Sequence, residues 1–295
     1  MVTFFSYFLP MSIRSEIESL MFLMEDPDPF VQEQVHLRFQ ELGEQAVPLL
    51  DQIRVESKDK DEKKRIKDVL HQLTFETLKE EFAELLSEGI QNRSQLEKAV
   101  LLLARFGNPT LRTSEYVKTL DHFADMIRPS LRYKRNERDK MQILMKFIFE
   151  DLNFKGDNKN YHDPANGFID QVIDRRKGLP IALSLVAMFI ARRLQLPIFG
   201  VNMPIHFMLT FVGAQEEQLI DPYDQGAEVS YDQCYFFLKK NNVTPRPEHF
   251  KMAADIDILT RCIRNLMHSY ERSEDAYRVE DLKNLLAMVE QSTAS

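Results

Sequence analysis

Glycine and cysteine are scarce in this sequence, tryptophan is missing, and basic residues do not outnumber acidic ones. The 295 residues include 9 glycines and 2 cysteines, Cys234 and Cys262. Two thiols are too few for a disulfide framework or a tetrathiolate zinc site, and they suit a reducing compartment. The formal net charge of -8 removes the overall positive field that draws proteins to nucleic acid or anionic lipid. We therefore expect a cytoplasmic protein that does not bind nucleic acid.

Long hydrophobic runs are also missing. After the N-terminus, the longest apolar run covers residues 181–191, which is far shorter than the roughly 20 residues that span a bilayer. The first residues, MVTFFSYFLP, are apolar but lack the positive flank and the small-residue cleavage site of a signal peptide. A translation start at Met11 explains this stretch at least as well as a targeting role. We expect no membrane partner.

Apolar residues at spacings of three and four predict a helical N-terminal unit over residues 1–89. Pro27 and Pro29 interrupt the pattern and separate two short helices, and Gly43 suits the end of the second helix. The segment DPDPFVQEQVHLRFQELGEQAVPLL resembles a HEAT-type helical repeat in its Asp-Pro turn, its spaced apolar positions and its Gly-x-x-Ala-x-Pro-x-Leu end. This resemblance covers about one repeat.

Amphipathic patterns predict further helices on both sides of a polar loop. The helices before the loop are SQLEKAVLLLARFG, SEYVKTLDHFADMIRPSL and ERDKMQILMKFIFEDLNF. The loop itself is KGDNKNYHDPANGF, and FIDQVIDRRKG predicts a short helix that stops at Gly178. At the other end of the chain, residues 246–295 contain two amphipathic patterns, which predict a C-terminal helical hairpin.

The next helix is predicted to begin at Pro180, after the Gly178 turn. Proline suits the first turn of a helix because its missing N–H would have no partner there. The amides of Ile181 and Ala182 then point outward at the positive end of the helix, where an anion binds well and where the pKa of a thiol is lowered. The spacing therefore predicts a site of the kind that activates a thiol.

The segments HFMLTFV and QLIDPY flank the turn sequence GAQEE and predict a β-hairpin. A regular hairpin places Met208 opposite Leu219 and His206 opposite Asp221. Opposed residues share a face of the sheet and lie within about 5 Å at their Cβ atoms, so the carboxylate is able to fix the tautomer of the imidazole. A bulge would shift the register by one residue. The alternative is a satisfied histidine at a buried strand end, followed by an Asp-Pro turn at Asp221.

Four motifs occur in order between about residues 96 and 226. They are Tyr-x-Asp-Pro, Arg-Arg-x-Gly-x-Pro, Gly-Val-x-x-Pro-x-His-Phe and Asp-Pro. In this combination the sequence resembles the SirB-one family, bacterial proteins with a transglutaminase-like, papain-related core. The resemblance implies an α+β core in which a small antiparallel sheet packs against the helix that begins at Pro180.

The resemblance also assigns candidate functional residues. In the transglutaminase-like superfamily a cysteine opens the core helix, a histidine begins one strand, and an aspartate ends or follows the next strand. His206 and Asp221 match the last two positions, whereas the cysteine position falls at Pro180, which has no nucleophilic atom. Thiol acyl transfer is therefore expected to be absent. The motif residues that we treat as candidate binding residues are Gly178, Pro180, Asn202, Arg175 and Arg176.

Other side chains have to be considered as nucleophiles. Ser184 lies four residues after Pro180 on the same helix face and could direct its hydroxyl towards the same cleft. The alternative is a small helical residue that bonds to its own backbone carbonyl. Cys234 and Cys262 are predicted to be buried structural thiols. Arg175 and Arg176 could meet a carboxylate or a phosphate, or they form a solvated helix end.

No metal or cofactor site is expected. His162, His206 and Asp221 form a conceivable set of ligands, but no His-x-x-x-His or cysteine pair supports them. No glycine-rich phosphate loop precedes a helix. These observations leave the chemistry of the site to protein side chains.

The sequence thus predicts a mainly helical α+β protein in three parts. A helical unit covers residues 1–89, a transglutaminase-like core with a small antiparallel sheet covers residues 90–245, and a helical hairpin covers residues 246–295. The favoured function is a non-catalytic module that binds a protein or a peptide, because the nucleophile position is a proline. Partner identity, pathway and oligomeric state stay open.

The alternative function is enzymatic. A hydrolase or an acyltransferase could use the retained His206–Asp221 pair together with Ser184 or an activated water. A polar pair in an otherwise apolar hairpin costs stability, and costly groups tend to mark function. Whether any catalysis occurs is therefore left open by the sequence.

Overall fold

The computed structural model describes residues 12–214 and 216–294. Most of these residues are helical and a small antiparallel sheet accompanies the helices, so the predicted α+β class is confirmed. The apolar N-terminal stretch and the alternative start at Met11 lie outside the described residues. In the part of the chain that the structure describes, no helix is both long enough and apolar enough to cross a membrane.

Within these ranges the α-helices are α1 (Ile13–Leu23), α2 (Pro29–Leu42), α3 (Val47–Glu56), α4 (Lys60–Ser87), α5 (Arg93–Gly107), α6 (Thr113–Leu131), α7 (Glu137–Lys146), α8 (Ile169–Arg175), α9 (Pro180–Arg193), α10 (Tyr231–Lys240), α11 (Asp255–Arg272) and α12 (Ala276–Ala294). The strands are β1 (Lys155–Gly156), β2 (Lys177–Gly178), β3 (Ile198–Val201), β4 (Met208–Val212), β5 (Glu217–Asp221) and β6 (Ala227–Val229). The residues after α7, Phe147–Asp151, continue as a short π-helix.

The chain divides into two compact units. One contains the residues up to Leu78 together with Asn108–Leu111, and the other contains Lys79–Gly107 and the residues from Arg112 onward. The boundary between the units falls inside α4. The candidate functional residues all belong to the second unit. The three-part division predicted from the sequence stays a prediction.

The first unit consists of short helices around an apolar core. The side chain of Asp28 caps α2 by accepting a hydrogen bond from the Phe30 amide at 2.9 Å, and Pro29 occupies the first turn. Gly43 follows the helix with a φ of 54°, in the left-handed region that suits glycine. The core residues are Ile17, Leu20, Met21, Val35, Phe39, Ala46, Leu50, Ile66, Val69 and Leu70.

Helix α9 is the centre of the second unit. Every residue from Pro180 to Ala191 is buried, as is typical of a helix enclosed on all sides. Helices α5, α6, α7 and α8 and strands β3 and β4 pack against it. The four-stranded sheet has the order β3-β4-β5-β6 with antiparallel neighbours, and β1 and β2 form a separate parallel pair. The elements that carry the candidate site are thus held against one buried helix.

The register of the predicted hairpin differs from the observed register. Thr210, not Met208, lies opposite Leu219, and Leu209 lies opposite Ile220. The predicted register is therefore wrong by two residues, because the centre of the turn lies one residue further along the chain. A shift of two residues keeps every side chain on its predicted face of the sheet. Strand β4 also begins later than predicted, so His206 lies in the loop before it.

Helix α8 ends earlier than predicted. We expected it to stop at Gly178, but it ends at Arg175, and Arg176 adopts a left-handed conformation with a φ of 58°. The guanidinium of Arg176 lies over the rings of Phe123 and Phe154, at 4.8 and 4.7 Å from their centroids. These cation–π contacts stabilise a backbone conformation that arginine rarely adopts. The residues that follow are then free to form strand β2 beside β1.

A buried ion cluster joins α5 to the end of α9. The side chain of Glu97 is 5% exposed, and its carboxylate accepts hydrogen bonds from Arg192 at 2.8 Å and from Arg193 at 2.6 and 2.8 Å. Charge-assisted hydrogen bonds of this kind are stronger than neutral ones. The cluster therefore fixes the position of α5 against the core helix.

Replacing Glu97 by alanine is expected to lower the free energy of unfolding by about 2–4 kcal/mol, because two guanidinium groups lose the carboxylate that compensates their burial. The control is Glu290→Ala, which removes the partner of Arg264 from an ion pair with both side chains more than half exposed and should cost less than about 1 kcal/mol. Urea unfolding at neutral pH measures both. Equal losses in the two variants would contradict the structural role of the cluster.

Candidate functional site

His206 and Asp221 form a hydrogen-bonded pair. Nε2 of the imidazole lies 2.8 Å from Oδ1 of the carboxylate, and the two side chains are 15% and 20% exposed. His206 precedes β4 and Asp221 ends β5. The structure thus brings together the two side chains that the sequence predicts to be neighbours. The strand register on which that prediction was based is not the observed one.

Asp221 is held in its charged form. Its Oδ1 also accepts hydrogen bonds from the backbone amides of Tyr223 at 2.8 Å and Asp224 at 3.3 Å. Burial raises the pKa of the Asp221 carboxyl, but the hydrogen bond and the charge of His206 and the two amides outweigh this effect, so the pKa lies below its usual value. A carboxylate only accepts, so Nε2 is the donor in this bond and Nδ1 is the ring nitrogen left for other contacts.

Aromatic rings surround the imidazole. The ring of Tyr223 lies 6.3 Å from the His206 ring at 87°, and the ring of Phe237 lies 5.8 Å away. On its other side Tyr223 packs against the backbone of Gly156, where a Cβ atom would overlap the ring. Gly156 belongs to β1, which pairs with β2 just before α9. Tyr223 therefore connects His206 with the strand pair at the beginning of the core helix.

The hydroxyl of Tyr223 is buried and has no hydrogen-bond partner among the described residues. Burial raises the pKa of this phenol, and the neighbouring Tyr161 and Asp157 raise it further. A buried hydroxyl without a partner costs about 1–3 kcal/mol. The site thus contains an unusually costly polar atom next to the His–Asp pair.

Pro180 begins α9, as predicted, and Leu179 is the residue that caps it. The Leu179 amide donates a hydrogen bond to the Asn166 carbonyl at 2.9 Å. A Cβ atom on Gly178 would meet the Val172 side chain at 2.8 Å. Gly178 and Pro180 are therefore buried parts of the packed base of the site, and the position that the resemblance assigns to a cysteine carries no reactive atom.

The two arginines beside this turn contact other parts of the protein. Arg175 lies 3.3 Å from Oδ2 of Asp157, whose side chain is 5% exposed, and donates to Oδ1 of Asn166 at 3.0 Å. Arg176 stacks on two phenylalanine rings as described above. Their guanidinium groups are therefore engaged in contacts that hold the loop after the π-helix and the end of α8.

The remaining candidate nucleophiles, Ser184, Cys234 and Cys262, are buried. Ser184 is fully buried and its hydroxyl donates to the Pro180 carbonyl at 2.9 Å. Burial raises the pKa of the Cys234 thiol, as does the charge of Asp221. Burial also raises the pKa of Cys262, to about 12, against the opposing charge of Arg261. Thiols with raised pKa values are poor nucleophiles at neutral pH.

The loop that carries His206 has a strained backbone. Ile205 has a φ of 70°, and its side chain is 50% exposed. A β-branched residue in the left-handed region is a rare and costly conformation, and such strain concentrates at functional sites. The loop therefore holds His206 in place at an energetic cost and exposes an apolar side chain beside it.

Sequence reasoning missed two residues of this region. Arg261 on α11 donates from Nη1 to Oδ1 of Asn202 at 2.9 Å. The candidate binding residue Asn202 therefore positions the guanidinium of Arg261. Tyr161, which is 40% exposed, lies with its ring 6.0 Å from that of Tyr223. The signal for Arg261 was its position three residues after the buried Ile258, on the inward stripe of an amphipathic helix.

His162 does not join the His–Asp pair. Its ring contacts those of Tyr161 and His268, at 5.2 and 5.3 Å between centroids. Across residues 12–214 and 216–294, no group of three histidine, cysteine, aspartate or glutamate side chains is placed to hold a metal ion. The chemistry of the site therefore rests on the His206–Asp221 pair and its aromatic and cationic neighbours.

The chain belongs to the transglutaminase-like superfamily. The model of that superfamily matches residues 114–264, just over half of the chain, and this range includes α9, the sheet and the His–Asp pair. No solved structure matches the chain.

Curated relatives come from bacteria and from mammals. The UPF0162 protein of Xylella fastidiosa is 26% identical over 185 residues, 61% of this chain and 66% of that protein. The UPF0162 protein of Pseudomonas aeruginosa is 30% identical over 203 residues, 65% of this chain and 73% of that protein. Human F-box only protein 21 is 24% identical over 265 residues, 80% of this chain but 39% of that protein. The chain thus spans slightly less than two thirds of the Xylella relative.

Replacing Tyr223 by phenylalanine is expected to leave the free energy of unfolding unchanged or to raise it by up to about 1 kcal/mol, because the lost hydroxyl is buried without a partner. Tyr116→Phe is the matched control, since the Tyr116 hydroxyl donates to Oδ2 of Asp174 at 2.8 Å and its loss should cost about 1 kcal/mol. Thermal and urea unfolding measure both variants. A larger loss for Tyr223→Phe than for Tyr116→Phe would show that the Tyr223 hydroxyl is bonded in solution.

The lowered pKa of Asp221 makes stability depend on pH. Ionised Asp221 stabilises the folded chain above the ordinary aspartate pKa of about 3.9, and this contribution disappears as the pH falls through the lower folded-state pKa. Asp221→Asn is therefore expected to cost about 1–3 kcal/mol at neutral pH, and its deficit should shrink towards acid pH.

Urea unfolding between neutral pH and about pH 3 tests this dependence. The exposed Asp224 supplies the control, because Asp224→Asn keeps the backbone amide that bonds to Asp221 and should follow the wild-type curve. A deficit of Asp221→Asn that stays constant over this range would contradict the lowered pKa.

Proposed function

We propose that this protein is a non-catalytic module that binds a peptide segment of a partner protein at the surface around His206. We define the His206 surface by Tyr161, Asn202, Ile205, His206, Tyr223 and Arg261. The observation that carries the proposal is that Pro180 occupies the position where the superfamily has its cysteine. Among the described residues, the other candidate nucleophiles are buried, and neither Ser184 nor a thiol offers an activated atom at this surface.

The composition of the His206 surface supports binding. Tyr161 and Ile205 expose 40% and 50% of their surface, and tyrosine is among the residues that contribute most to protein interfaces. The partly exposed side chains of His206 and Asn202 add polar atoms to this surface. Apolar contact area combined with a few directional polar groups is the usual make-up of a site that recognises one partner.

The relatives support a module that functions within different chains. The segment shared with human F-box only protein 21 makes up 39% of that protein, whereas the segment shared with the Pseudomonas aeruginosa protein makes up 73% of that one. The shared segment is thus a unit that occurs together with different additional segments.

The alternative proposal is a hydrolase in which His206 activates a water. The 2.8 Å bond to Asp221 favours it, because a carboxylate that orients an imidazole is the arrangement used by general bases. An acyltransferase that uses Ser184 has less support, since the Ser184 hydroxyl bonds to the Pro180 carbonyl inside the core. The His206–Asp221 pair suits a directional contact to a ligand as well as it suits a general base.

Finer assignments belong to the proposal as well. Within the superfamily we place the chain with the SirB-one family on its four motifs, and the N-terminal helices with HEAT-type repeats on the single matching segment. We further propose a cytoplasmic location, with a protein or a peptide as partner and without nucleic acid or membrane contacts. The net charge of -8 supports the last two points.

Intact-mass labelling distinguishes the two functions. The full chain is treated with a fluorophosphonate, which reacts with activated serine, and with iodoacetamide, which reacts with thiolates, beside His206→Ala and the control His162→Ala. We expect no stoichiometric labelling that depends on His206, because no described nucleophile lies exposed at this surface. Labelling that is lost in His206→Ala and kept in His162→Ala would establish a covalent enzyme instead.

The water-activating alternative needs a second readout. Release of nitrophenol from p-nitrophenyl acetate and cleavage of a random peptide pool are measured with the same three proteins. We expect equal background rates for all of them. A rate that falls at least about tenfold in His206→Ala alone, with its folding intact, would replace the binding proposal by the hydrolase.

A further inference from the structure

One cation at the His206 surface has no anionic partner. Arg261 is partly buried on α11, and burial lowers the pKa of its guanidinium. Its hydrogen bond goes to the neutral amide oxygen of Asn202, and within the described residues no carboxylate lies within 4.0 Å of it. Burying a cation without an opposite charge is costly. Arg261 is therefore held at a position that folding alone does not favour.

Two partly buried arginines of the same unit have carboxylate partners. Arg193 bonds to Glu97 and Asp121, and Arg175 lies beside Asp157. These pairs compensate for the burial of their guanidinium groups. Two others, Arg93 and Arg176, lie over phenylalanine rings instead. Among the described residues Arg261 has neither a carboxylate nor such a ring contact, which leaves its charge available to an anion of a ligand.

The backbone fixes Arg261 next to the His206 loop. The segment before α11 is tied to β3, because the Ala253 amide donates to the Gly200 carbonyl at 2.8 Å and Met252 bridges to Val201. Asn202, which receives the guanidinium, follows β3 directly and opens the loop that ends at His206. The distance between Arg261 and this loop is thus set by strand and helix, and not by a flexible segment.

Neighbouring side chains connect Arg261 with His206. The charge of Arg261 acts on the phenol of Tyr161, whose pKa burial raises and this cation lowers. The Tyr161 ring lies 6.0 Å from the Tyr223 ring, which lies 6.3 Å from that of His206. The rings of Tyr161 and Tyr223 thus lie between the region of Arg261 and the imidazole.

Other charged groups of this region already have partners. On the same helix, Arg264 lies one turn from Arg261 and is paired with Glu290 at 2.9 Å. The Asp221 carboxylate is already bonded to His206 and to two backbone amides. Glu290 and Asp221 are thus already engaged, and neither compensates the charge of Arg261.

We propose that Arg261, positioned by Asn202, binds a carboxylate of the peptide ligand at the His206 surface. This inference rests on the proposed function. The bond to Asn202 uses an N–H of Nη1, and the remaining donors of the planar guanidinium match a carboxylate through two parallel hydrogen bonds. A single guanidinium beside neutral tyrosines suits one negative charge. The carboxylate comes either from the C-terminus of a peptide or from an aspartate or glutamate side chain.

The test uses four pools of fluorescent random heptapeptides, with binding to the full chain measured by anisotropy. One pool has a free C-terminus and lacks acidic residues, one is amidated and contains acidic residues, one has both carboxylate sources, and one has neither. We expect at least one carboxylate source to be required. The pool that binds identifies that source, and inorganic phosphate is added as a competitor that should have little effect.

Variants at α11 test the residue itself. Arg261→Gln is expected to weaken binding of the preferred pool by about tenfold to a hundredfold, because a charge-assisted pair is lost. Arg261→Lys, which keeps the charge but not the planar fork, should weaken it less. The matched control is Arg264→Gln, whose arginine is paired with Glu290 and should matter less than about threefold. Thermal unfolding of each variant confirms that it is folded.

The outcomes separate this inference from the proposed function. If the pool without carboxylates binds as well as the others, and Arg261→Gln binds like the wild type while His206→Ala does not bind, then the binding module stands and the carboxylate subsite is wrong. If no pool binds the wild-type chain, the peptide-binding function itself is contradicted. Strong competition by phosphate would replace the carboxylate by a phosphorylated ligand.

Discussion

The second unit depends on the burial of one helix. Residues Pro180 to Ala191 of α9 are enclosed on every side, and burial of apolar surface is the main favourable term in folding. Helices and strands surround α9 because it has no polar face to present to water. The same constraint decides the chemistry, since a hydroxyl such as that of Ser184 finds only the backbone carbonyl of Pro180 inside this helix. The polar pair of His206 and Asp221 therefore lies outside this helix, in the loop before β4 and at the end of β5.

Much of the fold could be predicted because periodicity is a local property of the sequence. The helices, the start of α9 and the antiparallel hairpin follow from apolar spacing and from proline. The end of α8 could not be predicted, because Arg176 adopts its left-handed conformation through contacts with Phe123 and Phe154. Both phenylalanines lie outside α8. The hairpin register could not be predicted either, because the turn sequence lacks the residues that fix one turn type and so mark its centre.

The site was only partly predictable for a similar reason. His206 and Asp221 come together although the predicted register was wrong, because a shift of two residues preserves the faces of a strand and because the loop before β4 brings the imidazole back towards β5. Arg261 and Asn202 are 59 residues apart, and no local pattern indicates such a contact. A charged residue on the inward stripe of an amphipathic helix was the available signal.

One oxygen of Asp221 accepts bonds from His206 and from the amides of Tyr223 and Asp224. These donors share the lone pairs of a single atom, so the imidazole and the following turn form one thermodynamically coupled system. The coupling free energy between the imidazole and the turn is the same in both directions, so a change on one side of Asp221 alters the stability of the other. The Tyr223 ring packs on Gly156 of β1. A contact at the surface that changes the turn after Asp221 therefore also affects the β1–β2 pair through this ring.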